Sequence, residues 1–110
     1  MDKYLLIKNI FIENENKEKA ESMANYMKNK FAFYGLSAPD RKKLYQQFLK
    51  DEKKNKSIDW HFLDLCYQDK YREFQYLVCD YLKAFKKYLS YDDIFKIEKY
   101  VRAKQWWDTI

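Results

Sequence analysis

One glycine and one proline punctuate all 110 residues, and that scarcity constrains the fold more than any other feature. Tight hairpins draw on glycine and proline turns, and glycine-rich phosphate loops need several glycines. A turn-rich β-sandwich, a glycine-loop nucleotide binder and a flexible linker are therefore excluded. What remains is helix joined by short polar connectors. A hydrophobic share of 47%, with aromatics at 20%, supplies a packed core and argues against disorder. The length fits a single domain over residues 1–110. Lys and Arg number 22 against 17 Asp and Glu, a net charge of +5 that permits a polyanionic partner without requiring one. No apolar run approaches the length of a bilayer span, so no membrane partner is expected. Two cysteines and no secretory leader predict a reduced, cytoplasmic protein.

Apolar periodicity predicts an all-α chain of about six helices. The first covers Asp2 to Glu13, with Tyr4, Leu5, Ile7, Ile10, Phe11 and Ile12 on one broad face. Asn14 to Asn16 is a polar break. The second runs from about Lys17 to Lys30, with Ala20, Met23, Ala24 and Met27 inward and Tyr26 beside them. Lys28 and Lys30 close it, where cations suit the negative end of the helix dipole. Gly35 marks the place where the backbone needs positive φ. Ser37 as cap, Pro39 in the first turn and Asp40 at the capping-box position then open a third helix. It reaches about Lys50, with Leu44, Tyr45, Phe48 and Leu49 inward. Ser57 is expected to cap a fourth helix over Ile58 to Gln68, and a fifth covers Tyr71 to Leu89. Ser90 repeats the cap signal before Ile94, Ile97 and Val101, which mark a sixth to about Ala103. Lys104-Gln105 is a connector, and Trp106 opens a further helix. Successive antiparallel pairs, each about 40 residues long, suggest a HEAT-like α-solenoid, with a plain helical bundle as the alternative. Two tryptophans among the last five residues make a poor solvent surface. The array is thus expected to be incomplete at its C-terminus, an apolar end for further chain, a partner or self-association.

Few residues invite catalysis on their own. His61 is the sole histidine, and Cys66 and Cys79 lack metal-ligand spacing, which argues against a zinc or iron–sulfur site. His61 and Cys66 fall on diverging faces of one helix, so they do not pair as base and nucleophile. Glu18-Lys19 and Glu98-Lys99 read as solvated surface. Three places stand apart: Tyr26 with Lys28 and Lys30; Arg41-Lys42-Lys43, in a first turn where cations oppose the dipole; and Lys104-Gln105-Trp106-Trp107-Asp108. Helix starts bind phosphate, adjacent cations release counterions, and an indole face holds a cation or an unstacked base. These are the parts of a nucleic-acid surface, weighed against an ordinary solvated face.

The stretch from Lys17 to Arg41, including Phe33-Tyr34-Gly35-Leu36-Ser37-Ala38-Pro39-Asp40-Arg41, resembles the N-terminal signature of the AlkD-type DNA alkylation repair family. Tyr71-Arg72-Glu73-Phe74-Gln75 and Lys104-Gln105-Trp106-Trp107-Asp108-Thr109-Ile110 resemble two further family segments in the same order. The resemblance implies a curved stack of HEAT-like helical pairs whose concave basic surface holds double-stranded DNA with alkylated bases. That would place the protein at the nucleoid. It also implies N-glycosylase activity on purines made cationic by alkylation at N3 or N7, with no metal or redox cofactor. Such a base already leaves readily. A carboxylate near the sugar stabilises the developing oxocarbenium charge and positions water, while aromatic faces stabilise the cationic nucleotide. By the resemblance, Trp107 contacts the lesion nucleotide, Tyr26 lines the DNA surface, Ser37 sits where the chain approaches DNA, and Arg41 and Lys42 match a basic pair. Lys28, Lys30 and Lys104 join them as expected DNA-binding residues. Asp108 is not the family's catalytic acid, which falls three positions later, past Ile110. The expectation is therefore no catalytic residue within the chain and negligible excision by this chain alone. It is either the N-terminal part of a glycosylase or a helical-repeat module that binds DNA or protein without catalysis.

Overall fold

The computed structural model describes residues 2–103, apart from the side chains of Val101 and Ala103. The described residues form an all-α helical-repeat fold. Its helices are α1 (Lys3–Glu13), α2 (Lys17–Tyr26), α3 (Ala38–Lys53), α4 (Trp60–Gln68), α5 (Arg72–Ala84) and α6 (Ile94–Ala103). Short 3-10 turns at Lys86–Tyr88 and Tyr91–Asp93 join the last two. The expected further helix from Trp106, and the apolar end it would form, lie outside the described residues.

α5 carries the core. Phe74, Leu77, Val78 and Tyr81 are fully buried on it, against Ile7 and Phe11 of α1 and Leu63 and Cys66 of α4. Phe11 sits at the centre of an aromatic cluster, 5.1 Å from Phe74, 5.5 Å from Tyr34 and 6.2 Å from Tyr45, ring centre to ring centre. α1 and α5 each pack on both α3 and α4. α6 docks on α4 through Tyr100, whose ring stacks on Tyr67 at 4.6 Å and whose hydroxyl donates to Asp64 at 2.6 Å.

Helix boundaries follow the caps. Asp2 and Asn16 accept backbone N–H bonds at the starts of α1 and α2, and Ser37 accepts from Asp40 at the start of α3. Four expected bounds are corrected. α2 stops at Tyr26 instead of Lys30, because Lys28 and Asn29 turn left-handed at φ 57° and 59°. α3 continues beyond Lys50 to Lys53. α4 is capped by Asp59, which accepts from Phe62, and Ser57 stays outside it. α5 ends at Ala84, where Phe85 leaves the helical path and the chain tightens into a 3-10 turn. The Ser90–Asp93 capping box is present, on the 3-10 turn that leads into α6.

An extended segment from Phe31 to Ser37 crosses between these helices. Ala32 forms a parallel bridge with Tyr71: Arg72 N–H donates to its carbonyl at 2.8 Å, and its own N–H donates to Lys70 at 3.3 Å. Asn16 N–H donates to the Tyr34 carbonyl at 2.8 Å. The N–H groups of Tyr34, Gly35 and Leu36 converge on the fully buried Glu73 carboxylate at 3.0, 3.1 and 3.3 Å. Gly35 adopts φ +90°, and a Cβ there would fall 2.0 Å from the Asn16 carbonyl oxygen, so only glycine fits.

Removing the Glu73 acceptor strands three buried donors. Glu73→Ala is expected to lower unfolding free energy by about 3 kcal/mol or more, measured by urea titration. Lys3 bridges Glu52 at 3.0 Å and Asp59 at 2.7 Å. Burial opposes its charge, but hydrogen bonds to both carboxylates outweigh that and raise its pKa. Asp59 is likewise opposed by burial, yet Lys3 and the Phe62 N–H hold it below its ordinary 3.8. A depressed acid stabilises the fold above its unfolded value and loses that contribution as pH falls through its folded value. A raised lysine stabilises below its unfolded value and loses that contribution as pH rises through its folded one. Lys3→Met is thus expected to flatten stability loss below the ordinary aspartate range and at strongly alkaline pH, read from unfolding midpoints against pH.

Candidate nucleic-acid interface

The turn after α2 presents its side chains to solvent. Tyr26 is 76% exposed at the last helical position, although aromatic rings of this size ordinarily find cover. The left-handed residues Lys28 and Asn29, and Lys30 after them, are also exposed. The turn is fixed from within by Met27, which is buried, and by Asn29 N–H donating to Ala24 at 2.7 Å. An exposed aromatic ring and two exposed lysines therefore fall within five residues, on a turn held by a buried methionine and a backbone bond.

Ser37 lies at the other end of the extended segment, half-buried, with its hydroxyl engaged as the α3 cap at 3.4 Å from Asp40 N–H. Lys42 and Lys43 are exposed in the opening turns of α3. Their neighbour differs. Arg41 is only 7% exposed and turns inward onto α5. Its Nε–H donates to the Tyr45 hydroxyl at 3.0 Å, a terminal nitrogen lies 3.5 Å from Asp80, and the guanidinium sits 4.6 Å over the Tyr76 ring. Tyr45 in turn donates to Asp80. The reading of Arg41 and Lys42 as one basic surface pair thus separates: Lys42 faces solvent, while Arg41 fastens α3 to α5. Consecutive helical residues point 100° apart, so a run of three cations cannot all face one way. Lys104 and Trp107 lie outside the described residues.

Two charged residues escaped identification because charge reads as surface. Arg72 is fully buried, with its guanidinium 4.1 Å over Phe31 and 5.4 Å from Tyr76. Glu73, beside it, gathers the segment that joins the Tyr26 turn to Ser37. The available signal was an acid in the first turn of a predicted helix with an adjacent arginine.

The other reactive side chains are held inert. Burial pushes the Cys66 thiol well up, and it pushes Cys79 up to about 12, so neither is a thiolate near neutrality. His61 is exposed while Cys66 is buried, consistent with their diverging faces. Among the described residues, no three histidines, cysteines, aspartates or glutamates converge to hold a metal.

The family pattern described as "DNA alkylation repair enzyme" matches residues 7–110. A solved structure described as a predicted DNA alkylation repair enzyme from Enterococcus faecalis superimposes with a TM-score of 0.75 at 33% sequence identity. The match covers 86% of this chain and 45% of that one, so this chain spans about half the length of that protein. None of the curated proteins matches the chain.

The two neighbours Arg41 and Lys42 should separate experimentally. Arg41→Ala removes the cation beside the largely buried Asp80 of α5, leaving only the Tyr45 hydroxyl to answer it, and is expected to destabilise by about 3–5 kcal/mol. Lys42→Ala is expected to stay within about 0.5 kcal/mol. Thermal and urea unfolding of both variants checks this.

Proposed function

Given that this chain belongs to the DNA alkylation repair enzyme family, we propose that it forms the N-terminal wall of a DNA N-glycosylase that excises purines made cationic by alkylation at N3 or N7. The single observation that carries the DNA-facing assignment is the exposed Tyr26 ring set beside Lys28 and Lys30 on a braced turn. Three-quarters of the Tyr26 residue is open to solvent, and among the described residues neither Lys28 nor Lys30 forms an ion pair. A phosphodiester backbone answers both needs: the ammonium groups neutralise phosphate, and the phenol rests on the sugar edge.

In this reading Ser37 keeps α3 in register, and Lys42 adds a phosphate contact. Arg41 acts through position, fixing α3 on α5 so that Lys42 is correctly placed. Trp107 and Lys104 complete the lesion-facing surface by family resemblance. The reaction itself needs little from the protein beyond orientation and charge. The alkylated base leaves as a neutral purine, a carboxylate stabilises the oxocarbenium ion at the sugar, and water adds to the anomeric carbon as a proton is lost to solvent or base.

Two measurements test this. The natural gene product in its full reading frame is expected to release 7-methylguanine from methylated duplex above the spontaneous rate. Tight duplex binding with no base release would make it a binding module instead. For the binding surface, Lys28→Ala with Lys30→Ala is expected to reduce the slope of log affinity against log salt by about 1.8, at roughly 0.9 per phosphate contact. An unchanged slope removes that turn from the interface.

A further inference from the structure

Arg72, Tyr76 and Asp80 fall one turn apart along a single face of α5. The Arg72 guanidinium lies 4.1 Å over the Phe31 ring and 5.4 Å from the centre of the Tyr76 ring. The Arg41 guanidinium lies over the same Tyr76 ring at 4.6 Å and reaches Asp80 at 3.5 Å. Side chain by side chain, Phe31, Arg72, Tyr76, Arg41 and Asp80 thus form one continuous column. Its ends are informative. Phe31 directly follows Lys30 of the exposed turn, and Arg41 directly precedes Lys42. The half-buried Tyr76 is the member between the two arginines. Guanidinium groups repel each other, and the electron-rich face of an aromatic ring lets both settle on one side chain. Without that ring the column parts into a Phe31–Arg72 half on the turn side and an Arg41–Asp80 half on the α3 side.

From this column we propose that Tyr76 is a positioning residue for duplex binding. Its ring holds the lysines of the Tyr26 turn and Lys42 of α3 at one separation, so that both meet the same phosphate backbone. The proposal rests on the DNA-facing assignment of that turn and of Lys42. Two weak phosphate contacts on one rigid body reinforce each other, because engaging the first presents the second at high effective concentration. That gain is lost when the two move independently. Glu73 fixes the middle of the connecting segment through the amides of Tyr34 to Leu36. The column joins the two outer ends, where the lysines are.

The test is a double-mutant cycle on the natural gene product in its full reading frame, read as plain-duplex affinity well below the unfolding midpoint of each variant. Tyr76→Leu keeps an apolar side chain but removes the ring face, and it is expected to weaken binding about tenfold. Tyr76→Phe keeps the face and is expected to stay within about twofold of the unaltered protein. In a background carrying Lys28→Ala and Lys30→Ala no separation remains to be held, so there Tyr76→Leu is expected to cost less than about twofold. An equal loss in both backgrounds makes Tyr76 a packing residue and overturns the proposal. So does Tyr76→Phe behaving like Tyr76→Leu, or Tyr76→Leu binding as well as the unaltered protein. If the lysine pair alone leaves the salt dependence unchanged, the DNA-facing assignment of the turn fails and the proposal falls with it; that result is distinct because it appears with Tyr76 intact. If Tyr76→Leu unfolds, Phe31→Leu breaks the column from its other end. It is expected to show the same loss and the same dependence on background, and an equal loss in both backgrounds overturns the proposal.

Discussion

A single buried carboxylate organises this fold. Glu73 lies in the first turn of α5, where the helix dipole favours an anion, and it accepts from three consecutive backbone amides of the extended segment. Burial pushes its carboxyl up, against the pull of those amide donors. That stretch runs through the interior without helix or sheet to absorb its N–H groups, and the carboxylate supplies their acceptor. The bridge from Ala32 to Tyr71 and the Asn16 bond to Tyr34 fix the same stretch on its other sides. The Tyr26 turn enters this tethered segment and Ser37 leaves it, so the spacing between the two ends of the basic face is set from the core.

Polar contacts also determine how the helices meet. α3 is fastened to α5 by Arg41, Tyr45 and Asp80, α1 to the α3–α4 end by Lys3 with Glu52 and Asp59, and α6 to α4 by Tyr100 with Asp64. An all-aliphatic core tolerates sliding of one helix past another. A hydrogen-bonded tyrosine or arginine has one register only, since any slip leaves a buried polar atom unpaired. That matters for a protein whose proposed task is to hold a duplex at a fixed distance from a damaged nucleotide.

Much of this was legible beforehand, and the remainder was hidden for definite reasons. The single glycine announced its positive φ, Ser37 announced the start of α3, and apolar spacing located all six helices. Helix ends were less visible. Lys28 and Asn29 adopt left-handed geometry without glycine, and the apolar rhythm of α5 continues through Phe85 and Leu89 although the backbone does not. Asp59 displaced Ser57 as cap because it also serves Lys3, a partner 56 residues distant that local patterning cannot show. The basic face divided in the same way. Exposure of Tyr26, Lys28, Lys30 and Lys42 followed from their positions, whereas the inward turn of Arg41 depends on Asp80 across the helix interface. Glu73 and Arg72 fall within a segment that resembles the family, but buried charge follows no hydrophobic pattern.

The bond from Glu73 to the extended segment spans 37 to 39 positions of chain. A growing polypeptide emerging from the ribosome exposes Tyr34, Gly35 and Leu36 long before their acceptor is synthesised. Until then those three amides lack the acceptor that holds the segment between α2 and α3 in the finished fold.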